Sequence, residues 1–375
     1  MARSMVIVGL LLGLVLAACG GGVASAGVAS PSVSGSSPAV SAAAGTGQPS
    51  AAVANAPAVG ASSAAAGGGI TLKIAHVPST LFSPLYVAID KGYLRQQGIT
   101  ADLTVVAAGQ DAMAFLANGQ LDAAVAGMSA GTFNAINQGL EVRIVSSMGA
   151  APQQGDPSAL FVRTDELGSA IKSAADLKGK KIGLTGGLGA TGSYYMAQIL
   201  AKANLSLSDV DVLNLGFADM VTGFKNKSID AAIPSAPFTT QISNDKSAAI
   251  PDYGHLTPGV SGVGTIYGAH LLKQDPSFGK KLMTALVMGA RDVQGDNARS
   301  ADNIRILAKY TKLPVDTLQT MALYDFKPDL APDSQTYQNM QQSFIQAGIL
   351  KFPQPLPADK VVDDSFTKAA AAAAK

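Results

Sequence analysis

Two glycine-containing motifs mark the places where this sequence could do chemistry. Gly187-Leu-Gly189-Ala-Thr-Gly192 fits G-x-G-x-x-G, the turn that lays a dinucleotide pyrophosphate on a helix N-terminus. Gly127-Met-Ser129-Ala-Gly131 fits G-x-S-x-G, the elbow that exposes a nucleophilic serine above a sheet. Each stands between a strand-like run and a helix-like run, so context eliminates neither. The dinucleotide reading fails on its acid. A ribose needs a carboxylate at the end of the next strand, but that strand ends Leu213-Asn214-Leu215-Gly216, with Asp209 and Asp211 at its start. The hydrolase reading needs an acid and a histidine after the serine, and Asp230 or Asp252 with His255 or His270 satisfies that order. No H-G-G-G type stretch precedes Ser129, however, and no histidine follows His270. A secreted esterase using Ser129 remains as an alternative to a serine that donates a hydrogen bond to a ligand. With His76, His255 and His270 as the only histidines, unpaired in spacing, and no Walker sequence, neither a metal nor a cofactor is expected.

The elements that must position these residues are arranged strand then helix. Apolar runs at residues 72–77, 103–107, 121–126, 181–185, 210–215 and 229–233 alternate with amphipathic stretches, the pattern of parallel sheets covered by helices. After Gly268 it changes to successive helices, at residues 282–293, 302–310, 315–324 and 334–350. Sliding the chain by 108 residues aligns Lys73-Ile74 with Lys181-Ile182, Tyr86 with Tyr194, Asp111 with Asp219, Asn118 with Asn226 and Asp122-Ala-Ala124 with Asp230-Ala-Ala232. Strands fall on strands, which predicts two similar α/β lobes. The glycine turn then lies over residues 78–85, PSTLFSPL, and both are the turn after the first strand of a lobe.

The N-terminus gives an address. Arg3, a short apolar run and Leu16-Ala17-Ala18-Cys19 have the form of a signal segment ending in a lipobox, with lipid on the chain's single cysteine. Residues 20–69 contain no charged or aromatic residue and read as a disordered tether with a reach of about 40 Å. Beyond Arg3, the other 26 Lys and Arg balance 26 Asp and Glu. No basic stripe offers itself to nucleic acid, and the function must reside in a local site.

The stretches LKIAHVPSTLFSPLYVAIDKGYLRQQGI, NGQLDAAVAG and ADLKGKKIGLTGG, with a C-terminal VDDSF, resemble the solute-binding proteins of ABC importers. The group is that of nitrate, sulfonate and taurine binders, which also holds binders of thiamine-pyrimidine precursors. The resemblance covers residues 70–265 well and implies the type II periplasmic-binding fold. Two α/β lobes would close on a ligand, with crossings near residues 159–163 and 264–270. Lobe one would be residues 70–163 and 264–375, and lobe two residues 164–263. It also implies an extracytoplasmic, lipid-anchored monomer that serves a permease and its ATPase.

By the same resemblance, ligand contacts belong in the interlobe cleft. Lobe one offers His76, Ser79, Thr80, Phe82 and Ser83, then Gly109, Gln110 and Asp111, then Gly127, Met128, Ser129 and Thr132. Lobe two offers Thr185, Gly186, Gly187, Ala190, Thr191, Gly192 and Ser193, then Phe217, Asp219 and Ser235. Asp111 and Asp219 equally suit helix caps, His76 a place between sheet and helix, and Tyr86 the core. No Lys or Arg lies in these loops. A small anion held by helix N-termini and hydroxyls is expected, with a planar heterocycle stacked on Phe82, Tyr194, Tyr195, Phe217 or Phe238 as the alternative.

Overall fold

The computed structural model describes residues 69–374. Cys19, the signal-like segment and all but the last residue of the tether lie outside the described residues. The chain begins as β1 (Ile70–His76), α1 (Ser83–Asp90), α2 (Tyr93–Gln96), β2 (Ile99–Val105), α3 (Met113–Ala117), β3 (Ala123–Gly127), α4 (Ala130–Asn137) and β4 (Arg143–Ser147). It continues as β5 (Phe161–Arg163), β6 (Lys181–Leu184), α5 (Thr191–Ala201), β7 (Asp211–Asn214), α6 (Phe217–Lys225), β8 (Ala231–Ala232), α7 (Phe238–Asp245) and β9 (Ala248–Ala249). After β10 (Val263–Tyr267) come the helices α8 (Pro276–Asp292), α9 (Ala301–Thr311), α10 (Val315–Thr320), α11 (Ser334–Gln346), α12 (Ala358–Val361) and α13 (Ser365–Ala373).

These strands form two five-stranded sheets, in the orders β2-β1-β3-β10-β4 and β7-β6-β8-β5-β9. In each, four strands run parallel and the fourth in spatial order, β10 or β5, runs antiparallel to both its neighbours; the chain enters it just after crossing between sheets. The 108-residue repeat is therefore structural, with β1, β2 and β3 matching β6, β7 and β8. Its aligned acids do the same work in both. Asp122 Oδ2 accepts from Lys73 N at 2.7 Å, and Asp230 Oδ2 from Lys181 N at 2.9 Å, each tying the start of its lobe's third parallel strand to the first.

The crossings lie earlier than expected from sequence. Residues 161–163 form β5 inside the second sheet and residues 263–267 form β10 inside the first, so the chain crosses at 148–160 and 250–262. Short apolar strands such as Phe161–Arg163 and Val263–Tyr267 resemble linkers in sequence, because antiparallel insertion lacks the strand–helix alternation that marks the others. The C-terminal helices also do more than extend lobe one. Phe344 of α11 meets Phe133 of α4 at a ring separation of 6.4 Å, and Tyr337, Met340 and Phe344 share one apolar cluster with Met196 and Ile199 of α5.

Local sequence explains the helix starts. Asp275 accepts from Phe278 N and Pro276 stands in the first turn of α8, whose buried Leu282, Leu286 and Ala290 recur at helical spacing in the core shared with α1 and α13. Each such leucine removed from water contributes about 1.5–3 kcal/mol. The result is a rigid support for the carboxyl ends of the parallel strands, where the turns of both lobes face one another.

Candidate ligand cleft

The loops after β1, β2 and β3 and those after β6, β7 and β8 enclose a cavity of about 110 Å³ between the two sheets. That is roughly ten times the 10–15 Å³ that one water requires, which leaves room for a small organic molecule. Of the residues expected in the cleft, Ser79, Phe82, Gly109, Gln110, Gly127, Met128 and Ser129 line it from lobe one. Thr185, Ala190, Thr191, Gly192, Phe217 and Ser235 line it from lobe two. No lining side chain carries a charge.

The other sequence candidates stand behind this wall. His76 is buried with Nδ1 3.0 Å from Tyr86 Oη, and burial holds its pKa below the usual 6.5. Thr80 is buried without a hydrogen-bond partner for Oγ1, and Ser83 Oγ donates to Thr80 O at 2.7 Å. Asp111 accepts from Ala108 N at 2.9 Å as a first-turn cap. Thr132 is fully buried and donates to Met113 Sδ, and Ser193 donates to Ala190 O and accepts from Gly189 N. Asp219 is exposed in the first turn of α6, as a helix dipole favours. Tyr86 is core, stacked on Tyr310 at 4.8 Å.

The glycine turn does something other than cradle a phosphate. Gly186, Gly187 and Gly189 have φ of 79°, 64° and 83°, the left-handed region that side chains disfavour. A Cβ on Gly187 would meet Asn214 at 3.2 Å, so this glycine serves the turn and leaves no space for a ligand. With φ fixed in this way, the turn's carbonyls point at lobe one. Gly189 O accepts from Ala130 N at 2.7 Å and Gly186 O from Gln110 Nε2 at 3.3 Å. Thr191 Oγ1 adds a third link, donating to Met128 O at 3.0 Å and Gly262 O at 2.9 Å. The two lobes are closed on one another through these bonds.

Ser129 caps α4, accepting from Thr132 N at 3.3 Å. Its partners include no base. Among the described residues, His255 pairs with Asp156 and His270 with Asp122, and neither histidine lines the cavity. The constellation that an elbow requires is not assembled. No cluster of metal-ligating side chains occurs among the described residues, and no described helix is long and apolar enough to cross a membrane.

Tyr195 was expected only as a face for a stacked ring, and Tyr324, Leu81, Ile233, Leu256 and Val263 line the cavity with no sequence signal. Tyr195 accepts from Gly262 N at 3.0 Å, tying α5 to the second crossing. Tyr324, from the segment after α10, reaches Ser158 Oγ at 2.7 Å and Ser235 Oγ at 2.6 Å. Burial pushes its pKa up to about 12. Leu81, Ile233, Leu256 and Val263 complete an apolar lining. Of the aromatic candidates, Phe82, Tyr195 and Phe217 face the cavity, whereas Phe238 packs behind Phe217 at 6.0 Å and Tyr194 accepts from Gln198 Nε2 within α5.

Known proteins resemble this chain in sequence or in fold. A binding protein of Brucella abortus (strain 2308) is 27% identical over 295 residues, covering 75% of this chain and 86% of its own. The riboflavin-binding protein RibY of Chloroflexus aurantiacus is 29% identical over 164 residues, 42% of this chain and 43% of its own. Among solved structures, the nitrate-binding protein NrtA of Synechocystis PCC 6803 matches with a TM-score of 0.63 at 16% identity, over 81% of this chain and 89% of its own. The alkanesulfonate-binding protein SsuA of Xanthomonas axonopodis pv. citri, bound to MOPS, matches at 0.59 and 21% identity, over 78% and 98%. The fold is thus that of the periplasmic binding proteins, two α/β lobes with a helical C-terminal part. The NMT1/THI5-like family profile covers residues 79–296, more than half of the sequence, and the chain belongs to that family.

Proposed function

We propose that this chain is the solute-binding component of an ABC importer, a binder and not a hydrolase. It works outside the cytoplasm, held to the membrane by lipid on Cys19, and delivers a small solute to a permease and its ATPase. One observation carries this reading: a cavity between two lobes, without a charged side chain, faced by Phe82, Tyr195, Phe217 and Tyr324. Aromatic faces and aliphatic walls with a few hydroxyls suit a planar, largely uncharged ring. The riboflavin-binding relative supports the same class.

A small anion is the second reading. The starts of α4, α5 and α6 supply Ser129, Thr191 and Phe217 to the cavity, and helix N-termini favour negative charge. The nitrate- and alkanesulfonate-binding neighbours share the fold. Thermal-shift screening separates the two. A ligand at 100 times its Kd stabilises the fold by about 2.7 kcal/mol. Aminopyrimidines or flavins raising the melting temperature, with nitrate, taurine and alkanesulfonates inert, is the expected result. The reverse assigns the site to anions.

A further inference from the structure

The proton count of the cleft hydroxyls restricts the solute further, on the basis of the ring reading above. Tyr324 Oη lies 3.0 Å from Pro157 O, 2.7 Å from Ser158 Oγ and 2.6 Å from Ser235 Oγ. A carbonyl oxygen can only accept, so the contact with Pro157 uses the single proton of the tyrosine. Both serines must therefore give their protons to Tyr324 Oη. What each has left for the cavity is lone pairs. The threonines on this side are in the same condition, because Thr185 Oγ1 donates to Leu215 O at 3.0 Å and Thr191 Oγ1 to Met128 O and Gly262 O. Ser158, Ser235, Thr185 and Thr191 all line the cavity.

We infer that the hydroxyls of Ser158, Ser235, Thr185 and Thr191 accept hydrogen bonds from the solute and donate none, that Tyr195 is, among the described residues, the one lobe-two hydroxyl of the wall whose proton is left uncommitted, and that Tyr324 is the specificity-determining residue that sets the polarity at Ser158 and Ser235. The solute then carries N–H or O–H groups on the edge that meets Ser158 and Ser235: an amino group, a ring N–H or a hydroxyl. A deprotonated oxyanion brings no proton to this side and sets lone pairs against lone pairs. An uncharged ring whose nitrogens are fully alkylated displaces water from the same acceptors and leaves them unpaired, which costs the desolvation of each. Tyr324 is buried, its hydroxyl is fixed by three partners, and it stands on a segment that packs against both the first crossing and the loop after β8. Its orientation does not depend on the solute.

The test is calorimetric titration of the full chain with matched pairs: 4-aminopyrimidine against 4-(dimethylamino)pyrimidine, and riboflavin against N3-methylriboflavin, with benzenesulfonate as the anion. In the unsubstituted protein, the member of a pair that retains N–H binds about 10-fold tighter or more, the factor that one unpaired acceptor produces. Tyr324→Phe frees the protons of Ser158 and Ser235 to turn into the cavity. The ratio within a pair then falls toward one, and benzenesulfonate gains affinity. Ser235→Ala, which leaves Tyr324 in place, removes one acceptor, so the N–H compound weakens by up to about 10-fold, its alkylated partner does not weaken, and the ratio within the pair falls. Equal affinities within a pair, or ratios indifferent to both substitutions, overturn the acceptor assignment while the ring reading stands. Binding of benzenesulfonate alone, or of none of the four ring compounds, overturns the ring reading and this inference with it.

Discussion

The turns after β1 and β6 occupy equivalent places in the two lobes and are built by opposite means. In lobe one, side chains fix the turn: Ser79 accepts from Leu81 N, Ser83 donates to Thr80 O, and Tyr86 donates to Val77 O. In lobe two, three left-handed glycines fix it through the backbone. The first method puts Ser79, Leu81 and Phe82 into the cavity wall, and the second frees two carbonyls to reach the opposite lobe. Equivalent turns thus differ in what they present: in lobe one, side chains to the cavity, and in lobe two, backbone carbonyls to the opposite lobe as well as cavity-lining residues.

The anchors beneath these turns differ as well, and they give the largest expected effect. Asp230 lies beside Arg163, whose guanidinium also meets Asp165, Glu166 and the carbonyls of Lys227 and Ile229. Among the described residues, the one side chain paired with Asp122 is His270, at 2.6 Å and partly exposed. Arg163→Ala leaves Asp230 without its cation and the carbonyls of Lys227 and Ile229 without a donor, while Asp165 keeps Lys227 and Glu166 keeps Lys180, and should cost about 3 kcal/mol in denaturant unfolding. His270→Ala should cost no more than about 1 kcal/mol. Equal losses would mean that the two lobes are anchored alike.

Within the glycine turn, Gly187→Ala and Gly189→Ala should each cost about 1–2 kcal/mol in stability, since both place a side chain at positive φ. Their effects on binding should differ. A methyl at Gly187 meets Asn214, away from the cavity, and affinity should be unchanged. One at Gly189 meets Ala130 and Ile349, each at 3.0 Å, so it wedges the lobes apart and should weaken binding. Small-angle scattering with and without ligand would show the wedge as incomplete compaction.

The smallest effect concerns pH. His76 stands at the end of β1 with its pKa lowered by burial, so the folded protein binds its proton less readily than the unfolded chain. Its contribution is complete above pH 6.5 and is lost as pH falls through the folded pKa, with a slope of at most about 1.4 kcal/mol per pH unit. Unfolding midpoints recorded between pH 7 and pH 5 for the native chain and His76→Gln should diverge on the alkaline side and converge in acid.

The features legible in the sequence were those that repeat. Val- and Ile-bearing strands followed by amphipathic helices marked both lobes, and Asp122 and Asp230 aligned because each performs one capping task. The absence of Lys and Arg from the cleft loops was equally visible. The contacts that close the cleft were hidden because they join backbone atoms across long separations, such as Ala130 N to Gly189 O, where no side-chain type leaves a signature. Tyr324 was hidden for a related reason. It sits after a short helix in a stretch without a motif, and only folding carries it to Ser158 and Ser235.

On the reading proposed above, both turns and the crossing between them form one solute site. Hydrogen exchange of the full chain, with and without the compound that gives the largest thermal shift, tests it most directly. The amides at residues 78–85, 186–193, 156–160 and 233–238 should gain protection together, because one solute touches all four segments and holds the lobes closed. Protection confined to the turn of a single lobe, or centred on the surface hollow at residues 293–299 and 320–325, would contradict the account.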